Sequence, residues 1–198
     1  MTDRLSRQIA FLIEADKLKN VIRRTPLVDS SRLENSAEHS WHLLLVVMVL
    51  REYGPEGVDW MRVLEMVALH DLVEIDGGDT FAYDLSGHTT KTERELAAAE
   101  RVFGLLPPDQ RARFHELWGE FEAQQTPEAR FANAVDRLQP LLQNAHSGGG
   151  SWCGLKLEQK QILRRMAPIE TAMPAVWPHV LEVIESFCSA GVIQRTGD

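Results

Sequence analysis

Four residues that could bind a divalent cation stand within otherwise apolar segments of the chain: His39, the adjacent pair His70-Asp71, and Asp136. Imidazole and carboxylate groups are preferred ligands of borderline and hard divalent cations. A buried, ionised carboxylate is costly unless a cation pairs with it, and a metal ion supplies that cation. A single histidine on a helix is more often an ordinary core residue than a ligand. Together, the four residues predict a metal centre, provided that their segments meet in the fold.

The segments that carry these residues show the hydrophobic period of helices. Ser36 is a suitable N-cap for a helix over 37–53, and a further helix is predicted over about 59–73. A third helix is predicted over 127–146, because its start has an N-cap, a proline at the first helical position and an acidic residue in the first turn: Thr126-Pro127-Glu128. Asp136 lies on this helix. Other helices are predicted at about 9–18, 91–103, 108–121, 157–166 and 177–190.

The pattern of these helices predicts the fold class. No segment of useful length alternates with the period of a strand, and no internal repeat is evident. We therefore expect an all-α, single-domain helical bundle, in which side chains from three helices converge on one cation. A chain of 198 residues is one domain of ordinary size, so we expect the domain to span residues 1–198, with a metal-binding core at about 30–145.

The composition excludes several classes of protein. The 29 acidic and 21 basic side chains give a net charge of −8, which disfavours a nucleic-acid polymer as partner but allows a small phosphorylated substrate. The longest apolar run, Leu43–Leu50, is far shorter than the roughly 20 residues that span a bilayer, and the N-terminus lacks a secretory signal. Cys153 and Cys188 are too few for a disulfide framework and lack the spacing of a zinc site. We therefore expect a cytoplasmic protein that does not bind membranes.

The ordered pattern of the four residues resembles the HD-domain superfamily of metal-dependent phosphohydrolases, which is all-α and is named for its His-Asp pair. The resemblance covers roughly residues 5–185 and is strongest to the small single-domain branch that includes the 5′-deoxynucleotidases. The flanking residues that carry it are Glu38-His39-Ser40, His70-Asp71-Leu72-Val73-Glu74, Gly78-Asp79 and Asp136-Arg137-Leu138-Gln139-Pro140.

The resemblance implies an activity and a set of roles. The family removes phosphate from a small phosphorylated metabolite, most simply a nucleoside 5′-monophosphate. It holds one divalent metal ion per chain (Mn²⁺, Co²⁺ or Mg²⁺) through residues that match His39, His70, Asp71 and Asp136. Glu74 matches the catalytic acidic residue, Arg24 an arginine that reaches the substrate phosphate, and Asp79 an acidic residue near the sugar.

The residue types are suited to the roles of Glu74 and Arg24. Glu74 follows His70 by four residues and Asp71 by three, so it shares their helix face and could orient or deprotonate a water. A guanidinium offers a planar fork that matches phosphate oxygens, and Arg23 competes with Arg24 for this role.

Two departures from the 5′-deoxynucleotidase pattern leave the sugar preference open. That pattern has a tryptophan directly after the phosphate-binding arginine, where this chain has Thr25. The loop Phe81–His88 also differs from the Pro-rich loop of those enzymes.

Other functions remain open on the sequence alone. His88 and His115 lie between the second and the last metal ligands, where dinuclear HD phosphodiesterases and di-iron oxygenases carry two extra histidine ligands. A third hypothesis is a non-catalytic nucleotide-binding module that keeps the metal only for stability.

The resemblance also implies a homodimer. The segment Ala175–Phe187 has an apolar stripe at helical spacing, and two-fold pairing of two copies could bury that stripe. The alternative is that this helix closes the hydrophobic core of its own chain.

Overall fold

The protein is predominantly helical in a computed structural model that describes residues 3–84 and 87–196, with only the backbone of His88. The expected all-α fold class is confirmed. The α-helices of the described residues are α1 (Asp3–Ala15), α2 (Ser36–Leu50), α3 (Trp60–Leu69), α4 (Glu74–Gly77), α5 (His88–Phe103), α6 (Pro108–Ala123), α7 (Pro127–His146), α8 (Gln159–Ala172) and α9 (Trp177–Ser189). Short 3₁₀ segments are Asp16–Asn20, Arg51–Tyr53, His70–Val73 and Gly150–Trp152.

Helix α7 is the central element and packs against α2, α3, α6 and α8. Its core-facing side chains Phe131, Val135 and Leu138 are at most 1% exposed. The buried apolar side chains of the described residues form one cluster around it. Because Asp136 lies on the same helix, the core itself determines where this carboxylate is placed.

A two-stranded antiparallel sheet precedes α2, although the sequence indicated no strand of useful length. Strand β1 (Ile22–Pro26) pairs with β2 (Leu33–Asn35). Five and three residues are too few to show a period of two above chance, so pattern analysis missed the hairpin. The hairpin matters for function because β1 carries Arg23, Arg24 and Thr25.

The N-cap of α2 is Asn35 and not Ser36, which corrects the sequence prediction. The Asn35 side chain accepts a hydrogen bond from the backbone N–H of Glu38, and the Glu38 side chain accepts one from the backbone N–H of Asn35. Ser36 is thereby released from capping and is fully buried.

The helix predicted over 59–73 is interrupted. Helix α3 ends at Leu69, a 3₁₀ segment covers His70–Val73, and α4 begins at Glu74. The tighter turn buries the side chains of His70, Asp71 and Glu74 together.

The apolar stripe of α9 mostly lies inside the chain's own core. Val180 and Ile184 are at most 1% exposed, whereas Leu181 is 41% exposed. The stripe therefore gives little support to a dimer, and the homodimer stays a prediction. The large exposed apolar side chains lie instead on other elements and include Trp41, Met48 and Val49 on α2.

None of the helices within the described residues combines the length and the apolar character that a bilayer-crossing segment needs. Helix α2, whose sequence is the most apolar, has 15 residues.

Candidate metal centre and active site

Three of the four predicted ligands meet at one point. His39 of α2, His70 of the 3₁₀ segment and Asp136 of α7 each present a ligand atom, and these atoms lie within 4.8 Å of one another. Asp136 Oδ1 is 3.0 Å from His39 Nε2 and 3.7 Å from His70 Nε2. Asp71 adjoins the group, with Oδ1 3.0 Å from His70 Nε2 and Oδ2 3.9 Å from His39 Nε2.

In both histidines Nδ1 is hydrogen-bonded within the protein, so Nε2 is the nitrogen that can bind a metal ion. His70 Nδ1 lies 3.0 Å from the carbonyl oxygen of Val67, so Nδ1 carries the proton and donates it. His39 Nδ1 lies 2.9 Å from Gln139 Oε1 and donates in the same way. The orientation of the Gln139 amide follows from its other end, where Nε2 donates to Glu34 Oε1 at 2.8 Å. Metal-binding histidines are usually oriented by such bonds at the second ring nitrogen.

The donor set fits a divalent cation. In the neutral tautomers, His39 Nε2 and Asp136 Oδ1 are both acceptors, and two acceptors 3.0 Å apart need a positive charge or a proton between them. His70 Nε2 is buried and makes no well-directed hydrogen bond to any of the residues described. Two imidazoles with carboxylate oxygens suit Mn²⁺, Co²⁺ or another cation of that type.

The pKa shifts of the group also indicate that it favours a positive charge. Although burial lowers it, the pKa of His70 is raised well above its ordinary value by the carboxylates of Asp71 and Asp136. Burial alone would raise the pKa of Asp71, but the neighbouring positive charges of His70 and Arg23 lower it to about 2. The pKa of Asp136 also lies well below its ordinary value, despite burial, because the imidazoles of His39 and His70 face its carboxylate. The carboxylates therefore stay ionised and available to a cation.

Glu74 lies in the same cavity as the metal group. It is 6% exposed, and its Oε2 accepts a hydrogen bond of 2.6 Å from Ser36 Oγ. Burial and the neighbouring charge of Asp71 raise the pKa of Glu74 well above its ordinary value. A buried carboxylate with a raised pKa is suited to take up and release a proton.

The two arginines of β1 occupy different positions. Arg23 points inward, with Nη1 3.0 Å from Asp71 Oδ2 and 3.8 Å from Asp79 Oδ1. The exposed Arg24 lies at the rim, where its guanidinium is 5.1 Å from the centre of the Phe81 ring. Both residues line the cavity, so the structure brings both candidates for the phosphate to the site.

Asp79 is held at the cavity by the turn that follows α4. Gly78 has a φ of +71°, a conformation that other residues rarely adopt. Arg94 of α5 donates to Gly77 O and, at 2.9 Å, to Thr80 Oγ1, which ties both ends of this turn to α5. Burial, opposed by Arg23, raises the pKa of Asp79.

Comparison with known protein families agrees with this geometry. The family model described as "HD domain" matches residues 15–177, which include all four predicted ligands. The chain belongs to the HD domain family. A solved structure with high similarity is that of a predicted metal-dependent phosphohydrolase from Magnetospirillum magnetotacticum MS-1. The two chains are 44% identical, the TM-score is 0.90, and the match covers 96% of this chain and 98% of the other.

Curated relatives of this HD domain are more distant. The human 5′-deoxynucleotidase HDDC2 is 27% identical over 137 residues, which cover 67% of this chain and 66% of the human protein. The mouse protein of the same name is 30% identical over 110 residues, which cover 56% and 54% of the two chains. The chain thus spans 54% to 66% of the length of these two relatives. A conserved hypothetical protein from Pyrococcus furiosus, with 23% identity and a TM-score of 0.60, shares the fold.

His115, one of the two further histidines of the dinuclear hypothesis, is not part of the metal group that the described residues form. The ring of His115 packs against Phe103 at 5.2 Å, and its Nε2 lies 3.6 Å from Glu100 Oε1 on α5. The side chain of His88, together with Leu85 and Ser86 of the same loop, lies outside the described residues.

A layer of residues that supports the metal centre was not predicted from the sequence. Glu34, Gln139 and Ser36 hold His39 and Glu74 in place, yet none of them was a candidate. A signal was available for Gln139, which lies three residues after Asp136 and therefore on the same face of α7. Ser36 was assigned to the helix cap, and Glu34 lies in a strand that was not predicted.

Proposed function

We propose that this HD domain is a metal-dependent phosphohydrolase that releases phosphate from a small phosphorylated metabolite, most simply a nucleoside 5′-monophosphate. The observation that carries this proposal is the buried Glu74, which lines one cavity together with His70 and Asp136 of the metal group and with Arg23. A protein that kept a metal ion only for stability would have no need of such a carboxylate. The names of the Magnetospirillum and mammalian relatives support the same class of reaction.

His39, His70, Asp71 and Asp136 would hold one divalent cation per chain. Such a cation supplies Lewis acidity toward a phosphoryl oxygen and lowers the pKa of water, and Mn²⁺, Co²⁺ and Mg²⁺ are the candidates. Arg23 keeps Asp71 ionised and in place through the contact of 3.0 Å between Nη1 and Oδ2.

Glu74 would accept a proton from the water that attacks phosphorus. Ser36 Oγ donates to one carboxylate oxygen and thereby fixes the plane of the carboxylate, which leaves the other oxygen for the proton. A bond forms between the water oxygen and phosphorus while the ester bond breaks, and the proton that Glu74 took up passes to the leaving oxygen. The products are inorganic phosphate and an alcohol.

Arg24 would bind the phosphate of the substrate, and Asp79 would lie near its sugar. Among the described residues, the Arg24 guanidinium has the Phe81 ring as its one contact, so at the rim it is able to turn toward an incoming anion. Arg23 already has three carboxylate neighbours, Glu34, Asp71 and Asp79, so it has less capacity for the substrate.

We expect this enzyme to act in the cytoplasm as a homodimer, and both expectations are open to direct test. Light scattering at micromolar concentration distinguishes the dimer from a monomer of 22.4 kDa. A mass near that of the monomer throughout a tenfold dilution series would exclude the dimer.

A phosphate-release screen over phosphorylated metabolites, with and without added Mn²⁺, Co²⁺ or Mg²⁺, tests the proposed function. We expect release from nucleoside 5′-monophosphates that depends on the metal. Activity that survives thorough chelation would overturn the metal-dependent reaction. Matched ribose and deoxyribose substrates in the same screen determine the sugar preference at the site beside Thr25.

A further inference from the structure

The cavity of the metal centre adjoins a second cavity, and the two share Ala82, Tyr83, Arg137 and Arg165 as lining residues. The inner cavity has a volume of about 120 Å³ and the outer one about 410 Å³. A substrate with one phosphate at the metal centre therefore has room to extend past these residues into the outer cavity.

Arg137 is held at this boundary by hydrogen bonds from only one of its three guanidinium nitrogens, within the described residues. Its side chain is 11% exposed, and Nη1 donates to the carbonyl oxygen and to Oδ1 of Asn133 at 2.8 and 2.9 Å. Asn133 is itself fixed, because its amide donates to Phe121 O at 2.7 Å. Nε and Nη2 of Arg137 form no hydrogen bond with any residue of the described ranges 3–84 and 87–196. The guanidinium thus stays in place with unused N–H groups.

Arg165 of α8 lines the same boundary. Within the described ranges it has no hydrogen bond and no ion pair, and it is partly buried. Burial and the charge of Arg165 lower the pKa of Arg137 to about 10, although Asp136 and Glu122 act in the opposite direction. On the inner side, Asp136 Oδ2 lies 3.7 Å from Arg137 Nη1. The two guanidinium groups, the arginine pair, also line the outer cavity, where the described lining residues include no carboxylate.

Tyr83 adds a neutral donor beside the arginine pair. Its hydroxyl is buried and has no well-formed hydrogen bond among the residues that the structure describes. The neighbouring indole of Trp152 can only donate, so it offers no acceptor for the hydroxyl proton. Burial raises the pKa of Tyr83 to about 12, so this proton is present at neutral pH. A buried donor with no acceptor is costly unless a ligand supplies one.

We propose that the arginine pair and the Tyr83 hydroxyl form a second anion subsite, which binds a second phosphate of the substrate. The substrate class is a small metabolite with two phosphate groups, such as a nucleoside bisphosphate or a sugar bisphosphate. Guanidinium groups recognise phosphate through paired N–H donors, and a second charged contact remote from the reacting phosphate would align the substrate. The inference rests on the proposed function in one respect, since it takes the first phosphate to lie at the metal centre.

Titration calorimetry on the full, metal-loaded chain tests the subsite when Glu74→Gln blocks turnover, and the variants below are made in that background. Two matched pairs of ligands are adenosine 3′,5′-bisphosphate against adenosine 5′-monophosphate, and fructose 1,6-bisphosphate against fructose 6-phosphate. We expect the bisphosphate of at least one pair to bind about tenfold more tightly than its monophosphate. In Arg165→Met this ratio should fall to near one.

Arg130→Met is the matched control, because Arg130 lies exposed on α7 two turns before Arg137 and outside both cavities. It removes the same charge and should leave the preference for the bisphosphate intact. Equal binding of mono- and bisphosphates in both pairs, or a preference that persists in Arg165→Met, would overturn the subsite. An equal loss in Arg130→Met would show an effect of net charge alone and would also overturn it.

The failure of the proposed function has a different signature. In that case no metal-dependent phosphate release is seen with any nucleotide, while preferential binding of a bisphosphate through Arg165 can still be measured. Release from monophosphates without preference for a bisphosphate would refute the subsite and leave the proposed function in place.

Discussion

The metal centre and the arginine pair lie in one continuous cavity but differ in how their polar atoms are held. At the metal centre, His39, His70 and Glu74 each have one polar atom held by a hydrogen bond from within the protein. At the arginine pair, Arg165 has no such partner in the described ranges. The protein thus fixes the geometry of the reacting end in advance, whereas the other end offers unused donors.

This difference predicts how substitutions at the two ends will act. A change at the metal centre removes a ligand or moves one, so it should alter metal affinity and turnover. A change around the rim or the arginine pair removes a contact for the substrate, so it should alter substrate affinity. The following predictions test this distinction, from the largest effect to the smallest.

Asp136→Asn should have the largest effect. The carboxylate interacts with both ligand histidines, so its loss should release the metal and lower phosphate release by roughly 10³-fold or more. Metal content by mass spectrometry and phosphate release measure the two effects. Asp109→Asn, an exposed carboxylate paired with Arg4, is the control and should change neither. Full metal content in Asp136→Asn would show that Asp136 is not a ligand.

Glu74→Gln should separate chemistry from metal binding. If Glu74 accepts the proton, kcat should fall by roughly 10²- to 10⁴-fold while metal content stays near one per chain. Ser36→Ala removes only the hydrogen bond that orients Glu74, so we expect a smaller fall in kcat, about three- to tenfold, at little cost in KM. Full activity in Glu74→Gln would refute the proposed role.

Gln139→Leu tests whether the support of His39 matters for the metal. Loss of the acceptor for Nδ1 frees the ring to rotate, so metal affinity should fall about 10- to 100-fold. Gln143→Leu is a close control, because Gln143 is also buried on α7 and donates to the same oxygen of Glu34 at 2.8 Å. Equal losses in the two variants would point to disruption of Glu34 and not to the contact with His39.

Much of the reacting end could be predicted from the sequence. His39 and Asp136 are ligand-type residues on helices that the helical period locates to within a few residues, and His70 directly follows another such helix. Their ordered pattern is visible along the chain, so the metal group required no knowledge of tertiary structure beyond helix packing.

The supporting layer and the cavity walls could not be predicted in this way. The contact between Gln139 and Glu34 joins residues 105 positions apart through a strand too short to show a pattern. The arginine pair is formed by α7 and α8, and neither Arg137 nor Arg165 differs in sequence from an ordinary surface arginine. Such features depend on which helix faces meet, which the hydrophobic period alone does not determine.

Arg24→Met tests the rim of the cavity. Because Arg24 is exposed and contacts only the Phe81 ring within the part of the chain that the structure describes, its loss should leave metal content and stability unchanged. If Arg24 binds the phosphate, KM should rise about tenfold through the loss of a charge-assisted contact. Arg32→Met, which removes an exposed arginine of the same hairpin, should leave KM unchanged. An unchanged KM in Arg24→Met would transfer the role to Arg23.

Tyr83→Phe should have the smallest effect, and its sign distinguishes the two ends of the cavity. Without ligand, the Tyr83 hydroxyl is buried with no acceptor for its proton among the described residues, so its removal should raise the free energy of unfolding by about 1 kcal/mol. Ser36→Ala removes a hydroxyl that is hydrogen-bonded to Glu74, so it should lower the free energy of unfolding by a similar amount. Urea denaturation of the metal-free chain measures both changes. A loss of stability in Tyr83→Phe would mean that the hydroxyl already has an acceptor within the protein, and the contrast between the two ends would fail there.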